Sequence, residues 1–244
     1  MNNEFEDISN QTPTKKSIIP WIITILIAAW IISIGILGAG WLISRELARD
    51  SVLENQVVTE PVINEPVNIE IPDSKSQLGN KDSKVTVIEF ADFQCPFCGQ
   101  WHQEIWSKLK SEFIDSNKIN FVYWDFAFLG EESHKAAEAA LCAKDQNKFW
   151  QYHDLLFQSQ KGENEGAFAD MNLKKFAVGI GLDKNQFNSC FDSRIHKPIV
   201  EEATAKAGEY GVNSTQTVFI NGLKFEGVMP WENYKQIIES ELAK

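Results

Sequence analysis

Hydrophobic positions along the chain fall into three regimes. From Ser17 to Ser44, "SIIPWIITILIAAWIISIGILGAGWLIS" is apolar with no charged side chain, longer than the ~20 residues a helix needs to cross a hydrocarbon layer of about 30 Å. Trp21 and Trp41 stand twenty residues apart, which at ~1.5 Å per residue separates them by roughly one such layer, as interfacial anchors require. Between 45 and 78 the pattern dissolves. "RELARDSVLEN" can carry a short helix, but "VVTEPVINEPVNIEIPDSKSQ" has three prolines, several acids and no helical period, which describes an extended linker. From about Gly79 to the end, short apolar runs and helical periods alternate.

Within that last regime, "KVTVIEFADF" is rich in β-branched and aromatic residues and predicts a buried strand over 85–90. Apolar residues then recur every fourth position at Phe97, Trp101, Ile105, Leu109 and Phe113, one face of a helix, with Pro96 in its first turn, where a missing N–H costs nothing. "KINFVYWDFAF" predicts a second strand, and strand, helix, strand implies a parallel pair with a crossover. Five helical segments follow over about 130–210: "SHKAAEAALCAK", "KFWQYHDLLFQSQ", "NLKKFAVGIGLD", "NQFNSCFDS" and "KPIVEEATAKAGEY". "TVFINGLKFEGV" predicts a hairpin turning at Asn221-Gly222, and a last helix starts with Pro230 in its first position. No internal repeat suggests a solenoid. The expected organisation is a short tail at 1–16, a transmembrane anchor at 17–44, an extended linker at 45–78 and an α/β domain at 79–244.

The alternative to an anchor is a cleaved signal peptide, but its apolar region normally runs only ~7–15 residues, and "GAG" at 38–40 is a faint cleavage signal. Lys15 and Lys16 before the span and Arg45 and Arg49 after it give little orientation by charge. A short tail, one span and a large C-terminal domain favour the tail inside and the domain outside the cytoplasm, on a single-pass cell-membrane protein. At 244 residues and 43% hydrophobic content the chain can bury a proper core. The net charge of −11, with acids and lysines interspersed, leaves no basic face for nucleic acid.

Candidate chemistry centres on "CPFC", Cys95 to Cys98. A cysteine at the start of a helix meets free N–H groups and the positive end of the helix dipole, which stabilise a thiolate. A second cysteine one turn on can resolve a mixed disulfide. Two other readings of the pair are open: a zinc site using Cys95, Cys98 and His102, for which no matching second ligand pair exists, and inert buried thiols. His134 and His153 lie on apolar helical faces as core or capping histidines, and Trp101, Trp106, Trp150 and Phe157 read most simply as core. Glu89 is an acid inside an apolar strand; strand alternation can turn it to solvent as readily as to the core.

"VIEFADFQCPFC", "KFWQYHDLLF" and "GVNSTQTVFINGLKFEG", in this order and spacing, resemble the DsbA-like thiol-disulfide oxidoreductases, in particular the membrane-tethered bacterial kind. The resemblance covers about 79–244 and implies a thioredoxin-like α/β fold with an inserted all-helical subdomain before the hairpin. It implies that Cys95 attacks and Cys98 resolves, that Glu89 is a buried acid behind them engaged in proton transfer, and that Thr215, Gln216, Pro96 and Phe97 meet the substrate. Proteins of this kind often pair two further cysteines, here Cys142 and Cys190, in a structural disulfide, which an even cysteine number outside the cytoplasm also favours; two free thiols are the alternative. The cofactor would be the Cys95–Cys98 disulfide itself. The implied partners are exported, unfolded or partly folded proteins, with a membrane quinone-linked oxidase or a thiol donor to reset the pair.

The sequence departs from that pattern at one place. The family carries a cis-proline in the loop before the hairpin, where this chain has Gln216, flanked by Thr215 and Thr217. A cis bond before a residue other than proline costs about 2.5–4 kcal/mol, so the expectation is a reshaped trans loop or a strained cis one. The residue before the proline offers its backbone to an extended substrate, so the change is expected to alter substrate binding and redox poise. It favours, as the rival reading, a tethered binding or chaperone module without turnover.

Overall fold

Strand β2, Thr86–Ala91, is the axis of a five-stranded sheet ordered β1-β3-β2-β4-β5. The computed structural model describes residues 65–72 and 74–244, so the expected tail, anchor and most of the linker lie outside the described residues. Among the described residues no helix is long and apolar enough to cross a membrane. β3, Asn120–Asp125, runs parallel to β2 with Glu89 opposite Tyr123. β4, Thr217–Ile220, runs antiparallel on the other side with Glu89 opposite Val218, and β5, Leu223–Glu226, closes the hairpin. Asn221 and Gly222 both have positive φ, 47° and 83°, the backbone that a two-residue hairpin turn with right-handed strand twist requires.

Period-2 alternation divides the sheet into two covered faces. Val87, Ala91, Phe121, Tyr123, Val218 and Ile220 belong to one core cluster; Ile88, Phe90, Val122, Trp124 and Phe219 belong to the other. Glu89 shares the parity of Val87 and Ala91, which places it on the first face. That face is covered by helix α1, Pro96–Trp101, which runs on through two π-helical stretches, His102–Trp106 and Lys110–Ile114, joined by α-helical Ser107–Leu109. The four-residue apolar repeat explains the irregularity: in a regular α-helix each step of four advances the stripe by about 40°, and π turns take up the drift. Trp101, Ile105, Leu109 and Phe113 are buried, whereas Phe97 is 59% exposed, so the first member of the expected stripe is not part of it.

Five helices occupy 131–209: α2 (Glu131–Lys144), α3 (Phe149–Gln158), α4 (Asp170–Gly179), α5 (Lys184–Asp192) and α6 (Lys197–Glu209). α6 packs Ala203 and Ala207 on the second sheet face, where the Trp124 indole donates to the Ala203 carbonyl at 2.9 Å. The last helix, α7 (Trp231–Leu242), starts one residue later than expected, with Pro230 as its cap. Trp101, Trp106, Phe157 and His153 are buried, and Trp150 packs against the same cluster.

Part of the expected linker belongs to the fold. Ser76–Gly79 forms β1, antiparallel to β3, with Ser76 opposite Tyr123. Upstream of it, Val67, Ile69 and Ile71 alternate inward onto the second face, and the Val67 N–H donates to the Gly222 carbonyl at 2.9 Å.

Candidate active site at the start of α1

β2 ends at Ala91 and the chain turns through Asp92 to Gln94 before entering α1. The turn is tied down from outside. Asp92 Oδ1 accepts from the Gln94 N–H at 2.8 Å and the Ser133 hydroxyl at 2.6 Å; Oδ2 accepts from the N–H groups of Phe128 and Leu129 at 3.0 and 3.2 Å. The Gln94 amide donates to Ser133 Oγ at 2.8 Å, while its Oε1 accepts from the Asn164 N–H at 2.6 Å. Gln160, just past α3, donates from Nε2 to the carbonyls of Phe93 at 2.6 Å and Cys95 at 3.2 Å. Such saturated bonding fixes the loop's backbone groups, which would be costly to bury unpaired. Nothing in the sequence singled these residues out, because each reads locally as a polar loop position.

Cys95 is the N-cap of α1, with extended backbone, and Pro96 fills N1. Its thiol is lowered to about 6, first by the hydrogen bond from Cys98 and, against the opposing effect of burial, by the Thr215 side chain and the N–H groups of Cys98 and Phe97. Cys98 is fully buried, and burial together with the bond it gives Cys95 and the charges of Cys95 and Glu89 pushes it well above the ordinary thiol range. Two cysteines three residues apart therefore differ sharply in acidity. Pro96 and Phe97 are exposed beside them, and the Cys95 thiol points at the Thr215 carbonyl, 3.5 Å away.

Beneath the pair lies Glu89, fully buried. Burial raises its carboxyl to about 8, with the Cys95 charge adding and the Gln216 amide opposing. The solvent-facing alternative for this acid does not hold: its parity on β2 turns it toward α1. Gln216 is also buried, and its Nε2 donates to Glu89 Oε1 at 3.0 Å. The Thr215–Gln216 peptide bond is cis. The side chain of Gln216 faces the core, whereas Asn213 and Ser214 before it are exposed and Thr215 is half-buried.

His102 does not turn to the cysteines. Its Nε2 lies 3.1 Å from Asp154 Oδ1, the same oxygen that His153 Nδ1 meets at 2.9 Å. Burial works to raise Asp154, but these two bonds outweigh it and hold the carboxylate low, while burial lowers His153 to about 4. The three donor atoms are close enough together to hold a metal ion. The hydrogen bonds already account for their arrangement as a clamp between the α1 run and α3. Cys142 and Cys190 form a disulfide, Cα atoms 5.9 Å apart, tying α2 to α5.

Comparison with known proteins agrees with this geometry. The sequence model of a family described as thioredoxin matches residues 73–240. A probable disulfide bond formation protein D of Bacillus anthracis is 31% identical over 176 residues, covering 70% of this chain and 80% of that protein. The chain belongs to the thioredoxin-like family of disulfide bond formation proteins. Among other members, disulfide bond formation protein D of Bacillus subtilis is 28% identical over 185 residues, 70% of this chain and 79% of that one. The fold itself is matched by the crystal structure of oxidised BdbD from Bacillus subtilis, with a TM-score of 0.68 at 24% identity over 74% of this chain and 100% of that one.

Proposed function

We propose that Cys95 and Cys98 exchange disulfides with proteins outside the cytoplasm, in the direction of disulfide formation. The chain is a protein thiol-disulfide oxidoreductase. What supports these residue roles is the placement of the two thiols: Cys95 caps α1 against the Thr215 loop and accepts from Cys98, which lowers it to about 6, whereas Cys98 is fully buried and held high. A sulfur that is stable as thiolate leaves readily from a mixed disulfide, so the oxidised pair gives its bond away. A substrate thiolate attacks Cys95 Sγ and the Cys95–Cys98 bond breaks, with the electron pair departing on Cys98. A second substrate thiolate then attacks the substrate sulfur of the mixed disulfide, and Cys95 leaves as thiolate. The substrate has lost two electrons and gained a disulfide. Phe97 and the Thr215 backbone lie where an extended substrate would pair.

In this reading the apolar run at 17–44 anchors the protein as a single pass, the segment after it spaces the domain from the membrane, and a membrane quinone-linked oxidase resets the pair. Equilibration of the full chain with glutathione buffers tests it, with the redox state read by thiol alkylation and mass. The expected potential lies nearer the −120 mV of strong disulfide donors than the roughly −270 mV of thioredoxin. A pair that does not cycle, with Cys95 unreactive to a peptide disulfide, would overturn the enzyme reading in favour of a binding module.

A further inference from the structure

The buried contact between Gln216 and Glu89 has no counterpart in a loop that carries proline, because proline has neither an amide nor a side chain that reaches the acid. We propose that Gln216 is a positioning residue for disulfide exchange: its amide N–H holds Oε1 of Glu89, leaving Oε2 as the one oxygen that gives and takes the proton of Cys98. This rests on the exchange activity proposed above.

The observations are geometric. Glu89 and Gln216 are both buried, and Gln216 Nε2 is the hydrogen-bond donor to Oε1 at 3.0 Å. Oε2 has no partner among the described residues. Gln216 is held in turn by its main chain, whose carbonyl accepts from the Gly227 N–H at 2.7 Å. It follows Thr215, whose carbonyl faces the Cys95 thiol. One short segment therefore touches the attacking sulfur through one residue and the buried acid through the next.

The charged and titratable groups that sense Glu89 are Cys95 and Cys98 at the start of α1, Tyr123 on β3 and Tyr234 on α7. Burial keeps both tyrosines protonated, Tyr123 well above its ordinary value and Tyr234 at about 12. Asp92, whose backbone also meets Cys98, has both carboxyl oxygens engaged by Gln94, Ser133, Phe128 and Leu129, so among these groups Glu89 is the carboxyl left to exchange a proton with Cys98. When the Cys95–Cys98 bond breaks, the Cys98 thiolate takes the proton from Oε2 and Glu89 becomes a carboxylate. When the pair is re-formed, Oε2 takes that proton back as Cys98 attacks Cys95 Sγ of the mixed disulfide and the other thiolate leaves. A hydrogen bond from Gln216 to the carboxylate favours the charged form and offsets part of the burial penalty. Without it, ionisation of Glu89 is harder.

The test uses the full chain in two measurements. Carbon-13 NMR of the Glu89 carboxyl, assigned by its loss in Glu89→Gln, follows ionisation in the reduced protein. Stopped-flow release of glutathione from a Cys95 mixed disulfide, from pH 5 to 10, follows the Cys98 step. Gln216→Leu is expected to move the carboxyl inflection upward by about one pH unit and to slow glutathione release at pH 7 about fivefold. In the Glu89→Gln background the same substitution is expected to change the release profile no further. Gln216→Glu, which places a second carboxyl against the first, raises the inflection as well and replaces Gln216→Leu should that variant not fold. An unmoved or lowered inflection, or equal slowing with and without Glu89, overturns the proposal. Failure of the wild type to release glutathione refutes the exchange reading instead, while the NMR inflection still decides whether Gln216 governs Glu89.

Discussion

The Cys95 thiol faces the carbonyl of Thr215 at 3.5 Å, across the gap between the start of α1 and the loop before β4. That carbonyl is the acceptor a thiol uses and a thiolate does not. Ionisation of Cys95 therefore frees the Thr215 backbone for another donor, such as an incoming chain.

Titration of the reduced protein by thiolate absorbance at 240 nm should show Cys95 ionising near 6. Cys98→Ala removes the hydrogen bond that is the largest cause of the lowering, and the inflection should rise. The stability sign follows from an acid whose folded value lies below its unfolded one: the contribution is present above the ordinary thiol range and is lost as pH falls through 6. Relative to the oxidised protein, which lacks the thiolate but shares Glu89, the reduced protein should accordingly lose stability on acidification in that window. Equal pH profiles for the two forms would refute a stabilised thiolate.

Glu89 behaves in the opposite sense. Its folded value of about 8 lies above the 4.5 of the exposed acid. Stability is greatest below 4.5 and falls as pH rises to 8, because the folded protein resists giving up a proton that the unfolded chain has already lost. Glu89→Gln removes this penalty and keeps an amide that can pair with Gln216. The variant should be more stable than wild type at pH 7, by on the order of 3 kcal/mol, with the difference vanishing near pH 4. Urea unfolding at both pH values measures it. A destabilised variant at neutral pH would mean that the carboxyl is not buried as an acid.

How much of this was legible in the sequence depends on the range of the interaction. β2, β3, the hairpin and the helices are written in local periods, and Asn221-Gly222 names its own turn. β1 was not legible, since "SQLG" has no strand pattern and is a strand by virtue of the β3 edge it pairs with. Phe97 falls in register with the apolar stripe of the α1 run yet is exposed, because periodicity along the chain does not tell where the packed surface stops. At the site, Cys95 and Cys98 stood out by spacing. Asp92, Ser133, Gln94, Asn164 and Gln160 did not, being joined over sequence separations of 39 to 70 residues. Gln216 was legible as a departure, but its inward direction belongs to the folded loop.

The Cys142–Cys190 disulfide closes a sequence separation of 48 residues between α2 and α5. In the chain-entropy description such a loop contributes roughly 4 kcal/mol. Replacing both cysteines by alanine should lower stability by about 2–4 kcal/mol and leave the Cys95 thiolate titration in place, since the bridge lies in the helical insertion. A shifted Cys95 inflection in that variant would show that the insertion transmits strain to the site.

Gly99 sits where α1 passes closest to Gln160. A Cβ there would stand 2.1 Å from Gln160 Oε1, so alanine at this position must push the amide aside. The amide is a flexible side-chain end, and the cost is therefore the loss of its bonds to the Phe93 and Cys95 carbonyls rather than a backbone clash. The Cys95 carbonyl keeps its bond from the Gly99 N–H at 3.0 Å, so the Phe93 carbonyl is the acceptor left unpaired, at about 1–3 kcal/mol, less what water recovers at this half-open position. Gly99→Ala should destabilise by about 2 kcal/mol and broaden the distribution of Cys95 reactivity toward iodoacetamide, because the loop before α1 loses one of its ties. Gln160→Ala should reproduce both effects, and the double variant should be no worse than either alone, since the two substitutions remove the same bonds. Additive losses in the double variant would show that Gly99 is needed for something other than room for Gln160.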